Sequence, residues 1–365
     1  MQEYRVGIIG ATGMVGQRFT LLLKEHPWFK VTCVAASSRS AGKPYAEAVA
    51  GRWAFPGTPV PPAIGQLTVL DAADVESVAR QVDFVFCAVD MKKEEIRALE
   101  DRYAKAEVPV VSNNSACRGL PDVPMVVPEI NADHIAVIET QRKRLGSRYG
   151  FIAVKPNCSI QSYVPALTPL MDFIPEKVSV CTYQAISGAG KTFKTGPEMV
   201  DNVIPYISGE DEKSEQEPLK LWGSLVDTTD GPVIENAKLP VISAQCLRVA
   251  TADGHMAAVS VSFRHKPSRE EILQRWNSFE TEAQRLQLPS APKPFLQYCE
   301  DPSHPHTRLD RVFQHGMGVS IGRLREDSIF DWKFVGLAHN TLRGAAGGAL
   351  ECAEMLKALG YITKK

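Results

Sequence analysis

The residue with the plainest chemical potential is Cys158, in VKPNCSIQSYVPAL between Val154 and Leu167. An apolar, strand-like run from Phe151 to Val154 breaks at Pro156 and Asn157, and Ser159 to Leu167 then reads as helix. The pattern predicts Cys158 at a helix N-terminus, where unpaired backbone N–H groups and the positive end of the helix dipole favour an anion. The thiol is expected to ionise near neutral pH and to attack as thiolate, with a nearby backbone N–H holding a developing oxyanion. The plain alternative is a packed core thiol, because the chain carries eight cysteines and this residue type is often buried. A proton carrier stands in RVATADGH, where His255 follows a glycine in a turn between two strand-like runs and Arg248 opens the motif. In a shared cleft, Arg248 would fork onto a substrate carboxylate while His255 exchanged protons with Cys158 or the reacting oxygen. Taken alone, a histidine beside a strand serves structure more often than chemistry.

The elements that would position these groups begin at the N-terminus. Residues 4–10 form an apolar, β-branched run, and Val15, Phe19, Leu22 and Leu23 then recur at helical spacing. Gly10, Gly13 and Gly16, with Thr12, Met14 and Val15 between them, make a strand, glycine turn and helix suited to a dinucleotide pyrophosphate. A second strand, Lys30 to Ala36, runs into Ser37, Ser38, Arg39, Ser40 and Lys43. No carboxylate stands there to bind a ribose diol, and hydroxyls with cations suit a 2′-phosphate, so the pattern favours NADP over NAD. A solvated basic loop is the alternative. Gly51 to Gly65 reads as irregular, Val82 to Val89 and Val108 to Asn114 as buried strands, and Met91 to Ala106 as an amphipathic helix. Alternating β and α elements imply a doubly wound parallel sheet. Ser112 to Gly119 would leave its C-terminal edge, bringing Asn114 and Arg118 towards an anionic ligand. Gln141 to Gly150 reads as a solvated basic loop.

Beyond Cys158 the pattern lengthens. Val178 to Ser187, Cys246 to His265 and Ser328 to His339 alternate apolar and polar residues, as in a largely antiparallel sheet with one covered face. Ser268 and Glu271 form a capping box, after which Ile272, Leu273, Trp276 and Phe279 share one helical face. The small-residue-rich stretch Leu342 to Leu359 is expected to return as a helix to the first domain. The fold class is therefore α/β, a Rossmann-type doubly wound sheet with an α+β catalytic and dimerisation domain; residues 1–135 and 340–365 would form the first domain and 136–339 the second. With 41 basic against 42 acidic residues, bulk charge makes no case for nucleic acid or membrane. No secretory pattern opens the chain and the cysteines show no zinc spacing, so reduced thiols, no metal and a cytoplasmic location are expected.

Together GATGMVGQRF, SSRSAGK, NNSACRG, DVPMVVPEIN, KPNCSIQ, YQAISGAGK, NVIPYISGEDEKSEQEPLK, RVATADGH and NTLRGAAGGA resemble aspartate-semialdehyde dehydrogenases, in the order and spacing of their fungal and archaeal branch. The resemblance covers nearly the whole chain. It implies NADPH-dependent reduction of L-aspartyl 4-phosphate to the semialdehyde, with release of phosphate, on the route to lysine, threonine and methionine. It also implies roles for individual residues. Cys158 resembles the nucleophile, His255 the acid/base and Gln184 the residue that orients the reacting group. Arg248 resembles the ligand of the substrate carboxylate and Glu210 that of the ammonium, while Asn114, Arg118 and Lys213 resemble the phosphate pocket. Ser187, Gly188 and Asn340 resemble cofactor contacts. Glu210 is chosen from the crowded Glu210, Glu212, Glu215 and Glu217 by its spacing to Lys213; otherwise that run reads as a solvated acidic helix face. A homodimer, or a tetramer of two dimers, is implied. Rival readings are a thioester reductase of the malonyl-CoA reductase kind, an N-acetyl-glutamyl-phosphate reductase, and a non-catalytic dinucleotide-binding paralogue.

Overall fold

Six short, almost wholly apolar strands run parallel: β1 (Tyr4–Ile9), β2 (Phe29–Ala36), β3 (Val69–Asp71), β4 (Phe84–Cys87), β5 (Val110–Ser112) and β6 (Ile152–Val154). The computed structural model describes residues 3–365. The strands lie in the order β3-β2-β1-β4-β5-β6, so the chain reverses direction across the sheet between β1 and β4. Both faces are covered, which is why these strands are apolar throughout rather than alternating.

At the reversal the loops after β1 and β4 meet. Gly10 takes φ +84°, and a Cβ there would lie 2.3 Å from the Ala88 carbonyl oxygen. A Cβ on Gly16 would come as close to the Gly10 carbonyl. Backbone contact thus requires both glycines, and the helix Met14–Leu22 starts just beyond the turn.

Two expectations are corrected here. The sixth strand lies inside the stretch assigned to the second domain, so the parallel sheet extends to Val154. Its three residues pair with β5 in register and cover an edge that would otherwise be open. Gln141 to Gly150 is also no solvated loop: Ile138–Leu145 is a helix ended by Gly146 at φ +70°. The Gln141 amide donates to the carbonyls of Asp122 and Ile152 and accepts from the Ile152 N–H, clamping β6. The basic residues of that helix obscured its short buried side, formed by Ile138, Thr140, Gln141 and Leu145.

The second sheet is mixed. Its strands β7 (Pro175–Gln184), β8 (Val203–Ile204), β11 (Val241–Val249), β12 (His255–Phe263), β13 (Leu296–Cys299), β14 (Val319–Glu326) and β15 (Trp332–Ala338) lie in the order β13-β14-β15-β12-β7-β11-β8, with a separate hairpin of β9 (Ser224–Thr228) and β10 (Gly231–Glu235). Only β7–β11 and β13–β14 pair in parallel. Along β7, Val178, Val180, Thr182 and Gln184 point into the protein while Lys177, Ser179 and Tyr183 face outwards. The helix Arg269–Asn277 carries the expected capping box and buries Ile272 and Trp276; Phe279 lies past its end. The C-terminal segment makes a π-helical turn, Leu342–Ala346, and continues as the helix Gly347–Ala358. Ala349, Leu350, Ala353 and Leu356 join Val6, Ile8, Phe19, Phe84 and Phe86 in one core, returning the chain's end to the first domain. Each such leucine or phenylalanine contributes about 1.5–3 kcal/mol by its burial. Among the described residues no helix is long and apolar enough to cross a membrane.

Candidate active site

Three neighbouring strands deliver three side chains to one end of the second sheet. Gln184 ends β7, Arg248 stands opposite it in β11, and His255 begins β12. Strand alternation turns all three onto the covered face, where they are buried.

Cys158 approaches from the first sheet, after the β6 edge and Lys155, Pro156 and Asn157. The turn that follows is a single 3₁₀ segment, Ser159–Ser162, succeeded by one α-turn, Val164–Leu167, and a further 3₁₀ stretch. This broken path replaces the continuous helix read from the sequence, so the dipole behind Cys158 is short. Burial, then the Glu210 carboxylate, push the Cys158 thiol above its ordinary pKa, opposed by Lys155, Arg118 and Arg248. The expectation of ionisation near neutral pH in the free protein is corrected accordingly. The backbone of Gly344 lies against the nucleophile; a Cβ there would meet the Cys158 Cβ at 2.8 Å.

The Cys158 sulfur lies 3.5 Å from His255 Nε2. On the far side of the ring the Ala185 N–H donates to Nδ1 at 3.0 Å. A backbone N–H is always a donor, so Nδ1 is unprotonated and the ring proton sits on Nε2, facing the sulfur. Burial, then Arg248, hold His255 well below the usual histidine pKa, in keeping with this neutral tautomer. Gly188 is required by the same packing: its Cβ would lie 2.7 Å from an Arg248 nitrogen and 3.0 Å from His255.

Around the sulfur is a cavity of about 260 Å³ lined by Asn113, Arg118, Lys155, Glu210 and Lys213, among others. Glu210 accepts from Lys213 at 2.8 Å, from the Asn157 amide at 3.0 Å and from Gln184 at 3.3 Å. Burial opposes its charge, but Lys213 and these hydrogen bonds outweigh it and lower the carboxyl's pKa. Arg118 donates to Glu217 at 2.9 Å and to the Asn113 carbonyl at 2.9 Å. The Arg118 Nε and both amide atoms of Asn113 are buried without a partner among the described residues. Asn114 is placed differently from its neighbour: its amide turns to Glu100 and Cys87. The surroundings of the sulfur hold four cationic side chains, Arg118, Lys155, Lys213 and Arg248, against the carboxylates of Glu210 and Glu217. That balance and the unpartnered donors fit an anionic ligand carrying one ammonium group. Sequence reading missed Lys155, Asn157, Glu217 and Asn113. Glu217 was hidden among four similar glutamates, whereas a lysine directly after an apolar strand is itself a signal.

A second cavity of about 130 Å³, lined by Met14, Arg18 and Phe55, shares Ser187 and Thr341 with the first. Space therefore runs from the glycine turn to the cysteine. Gly13 caps the helix Met14–Leu22 without a side-chain hydrogen bond, and a Cβ there would meet only the Gly10 carbonyl, at 3.6 Å. The open first-turn N–H groups fit a pyrophosphate. Ser37, Ser38, Arg39 and Lys43 are exposed beyond β2, while Ser40 turns inwards and accepts from Arg52 at 3.0 Å. Asn340 ties the C-terminal segment down, accepting from the Gly254 N–H and donating to Ser187.

Two family models match, the NAD binding domain of semialdehyde dehydrogenases over residues 5–138 and their dimerisation domain over residues 167–343. Among curated proteins, the aspartate-semialdehyde dehydrogenase of Aspergillus fumigatus is 41% identical over 98% of each chain. That of Archaeoglobus fulgidus is 42% identical over 97% of this chain and 98% of its own. The crystal structure of the Candida albicans aspartate-semialdehyde dehydrogenase with NADP superposes with a TM-score of 0.88 at 37% identity, covering 99% of this chain and all of the other. Sequence, fold and the meeting of Cys158 with His255 place this chain in the aspartate-semialdehyde dehydrogenase family.

Proposed function

We propose that this protein reduces L-aspartyl 4-phosphate to L-aspartate 4-semialdehyde with NADPH, releasing phosphate, through a thioester on Cys158. The observation that carries this reading is the Cys158–His255 contact at 3.5 Å, set between an ammonium site at Glu210 and a cationic pocket at Arg118 and Lys213. Arg248 forks onto the substrate α-carboxylate, and Glu210 takes its ammonium. Ammonium binding offsets the carboxylate that raises the Cys158 pKa, so the substrate itself favours loss of the thiol proton to water, to be regained once the thiolate is released at the end of the cycle. The thiolate attacks the acyl carbon and phosphate leaves towards Arg118 and Lys213. Gly10 to Gly16 would hold the cofactor, with Arg39 and the neighbouring serines at its 2′-phosphate, and the group bound there would supply the hydride for the thioester carbon. His255 then donates its Nε2–H as a hydrogen bond to the thiohemiacetal oxygen and to the departing sulfur. Gln184 steadies Glu210 and the reacting group. The product feeds lysine, threonine and methionine synthesis.

Eight free cysteines support a reducing, cytoplasmic setting. Assembly as a homodimer, or a pair of dimers, is supported by the open sheet face, where Tyr183 and Val241 stay 39% and 64% exposed. The deciding experiment is a coupled assay with aspartate semialdehyde, NADP and phosphate, omitting each in turn. Turnover must require all three; turnover with CoA in place of phosphate would overturn the reading.

A further inference from the structure

Balance of the reaction shows where a proton is needed. Thiolate attack forms the C–S bond, and collapse breaks the bond between the acyl carbon and the phosphate oxygen. The electron pair of that bond leaves with phosphate. Hydride addition and loss of thiolate then neither take up nor release a proton. The single proton the reaction consumes is the one that turns departing phosphate into hydrogenphosphate. His255 stands on the sulfur side, its Nε2 3.5 Å from the nucleophile.

Lys155 meets the requirement on the phosphate side. It follows the last residue of β6, is 3% exposed, and lines the cavity shared by Cys158, Arg118 and Lys213. Its Nζ donates to the adjacent Pro156 carbonyl, leaving two of three N–H bonds without a partner among the described residues. The charged groups that face it are Arg118 from the loop after β5, Glu217 from the helix Glu210–Leu221, Arg343 from the C-terminal turn, Cys158 and His255. Arginines do not release protons, and the Lys213 ammonium is held by Glu210.

We infer that Lys155 is the general acid for phosphate departure, passing its Nζ proton to the leaving phosphate oxygen as the C–O bond breaks and recovering it from water through the cavity. In the reverse direction the free amine removes that proton as phosphate attacks the thioester. Burial, then repulsion from Arg118, bring the Lys155 pKa down to about 7, within reach of both forms. The inference rests on the acyl-phosphate reading given above.

The test uses Lys155→Arg, which keeps the charge and removes the transferable proton. In semialdehyde oxidation, kcat/KM for phosphate should fall roughly 100-fold in the variant, the usual scale of general acid–base catalysis. Phosphate titrates in the same range, so the informative quantity is the ratio of wild type to variant across pH. That ratio should climb about tenfold per pH unit up to about pH 7 and level above it. A ratio near one, or one independent of pH, overturns the inference. If Lys155→Arg fails to bind NADP, Lys155→Ala with added methylamine decides: restored turnover supports the role and absent rescue refutes it. Wild-type protein inactive with phosphate would refute the acyl-phosphate reading instead, so the two failures are distinguishable.

Discussion

Two clusters of buried charge lie on either side of the C-terminal turn, and they are built on opposite principles. Around Arg343 most valences are spent: the guanidinium donates to both oxygens of Glu129 at 2.6 Å, to Glu351 at 2.6 Å and to Gln161 at 3.3 Å, with the Phe295 ring alongside, although Glu351 Oε1 is left without a partner among the described residues. Around Cys158 the valences are left open: Arg118 Nε and the Asn113 amide find no partner, and Lys155 satisfies one N–H of its three. A closed cluster holds backbone in place, and an open one waits for a ligand. The Arg343 cluster anchors the π-helical turn that lays Gly344 against Cys158, so the satisfied group positions the unsatisfied one.

The contrast can be broken most sharply at the nucleophile. Cys158→Ser should fold and still bind NADPH, measured by thermal shift, yet lose on the order of 10⁴-fold or more in turnover. Retained turnover would remove Cys158 from the mechanism. At the closed cluster, Arg343→Met leaves two buried carboxyl groups without their cation and should cost about 3–5 kcal/mol in urea unfolding. Burial, then Glu129, push Glu351 well above the usual carboxylate pKa, so Glu351→Gln mimics its protonated form and should cost less than about 1 kcal/mol. Equal losses for the two variants would show that the cluster is not organised around its arginine.

His339, whose carbonyl receives the Gly344 N–H, buries an ionisable group in neutral form. Burial, then Arg18 and Arg311 against an opposing Asp253, lower its pKa to about 4, and its Nδ1 accepts from the Thr341 N–H at 3.3 Å. An unfolded histidine binds its proton near pH 6.5, so the folded state gains from His339 above that pH and loses the gain as pH falls towards 4. The loss amounts to roughly 3 kcal/mol, and His339→Gln should flatten the stability profile over that interval. A profile as steep as wild type would place the acid sensitivity elsewhere, at His255 or His134, both also held below the ordinary value. The mildest effect is expected on the open rim, where Arg39→Ala should weaken NADPH roughly 10–100-fold while sparing NADH. Equal weakening of both would mean that the loop after β2 does not read the 2′-phosphate.

What the sequence disclosed follows from how local each determinant is. The glycine turn at Gly10 to Gly16 was legible because strand, turn and helix are contiguous and each carries its own period. The mixed sheet was legible from the alternation of β7 and β12. Cys158 and His255 were legible as candidates, but no local rule states that β6 and β12 bring them within 3.5 Å. The ionisation state of Cys158 was misjudged because burial and Glu210, a residue far along the chain, set it together. The helix Ile138–Leu145 was missed because its basic residues outnumber its apolar ones, and its key contact is one glutamine amide on β6. Asn113 and Asn114 could not be told apart in sequence; only the strand end decides which side chain faces the cavity.

The contact between Gly344 and Cys158 also bears on how the molecule comes into being. The cysteine emerges from the ribosome long before Thr341, Gly344 and Ala345, the later residues that wall it in. Until they dock, the thiol has neither its cavity nor the backbone that fixes its orientation. A chain cut short of this turn would carry every candidate catalytic side chain and still lack a closed reaction chamber. The reactive centre is thus completed only when this turn docks on the cysteine.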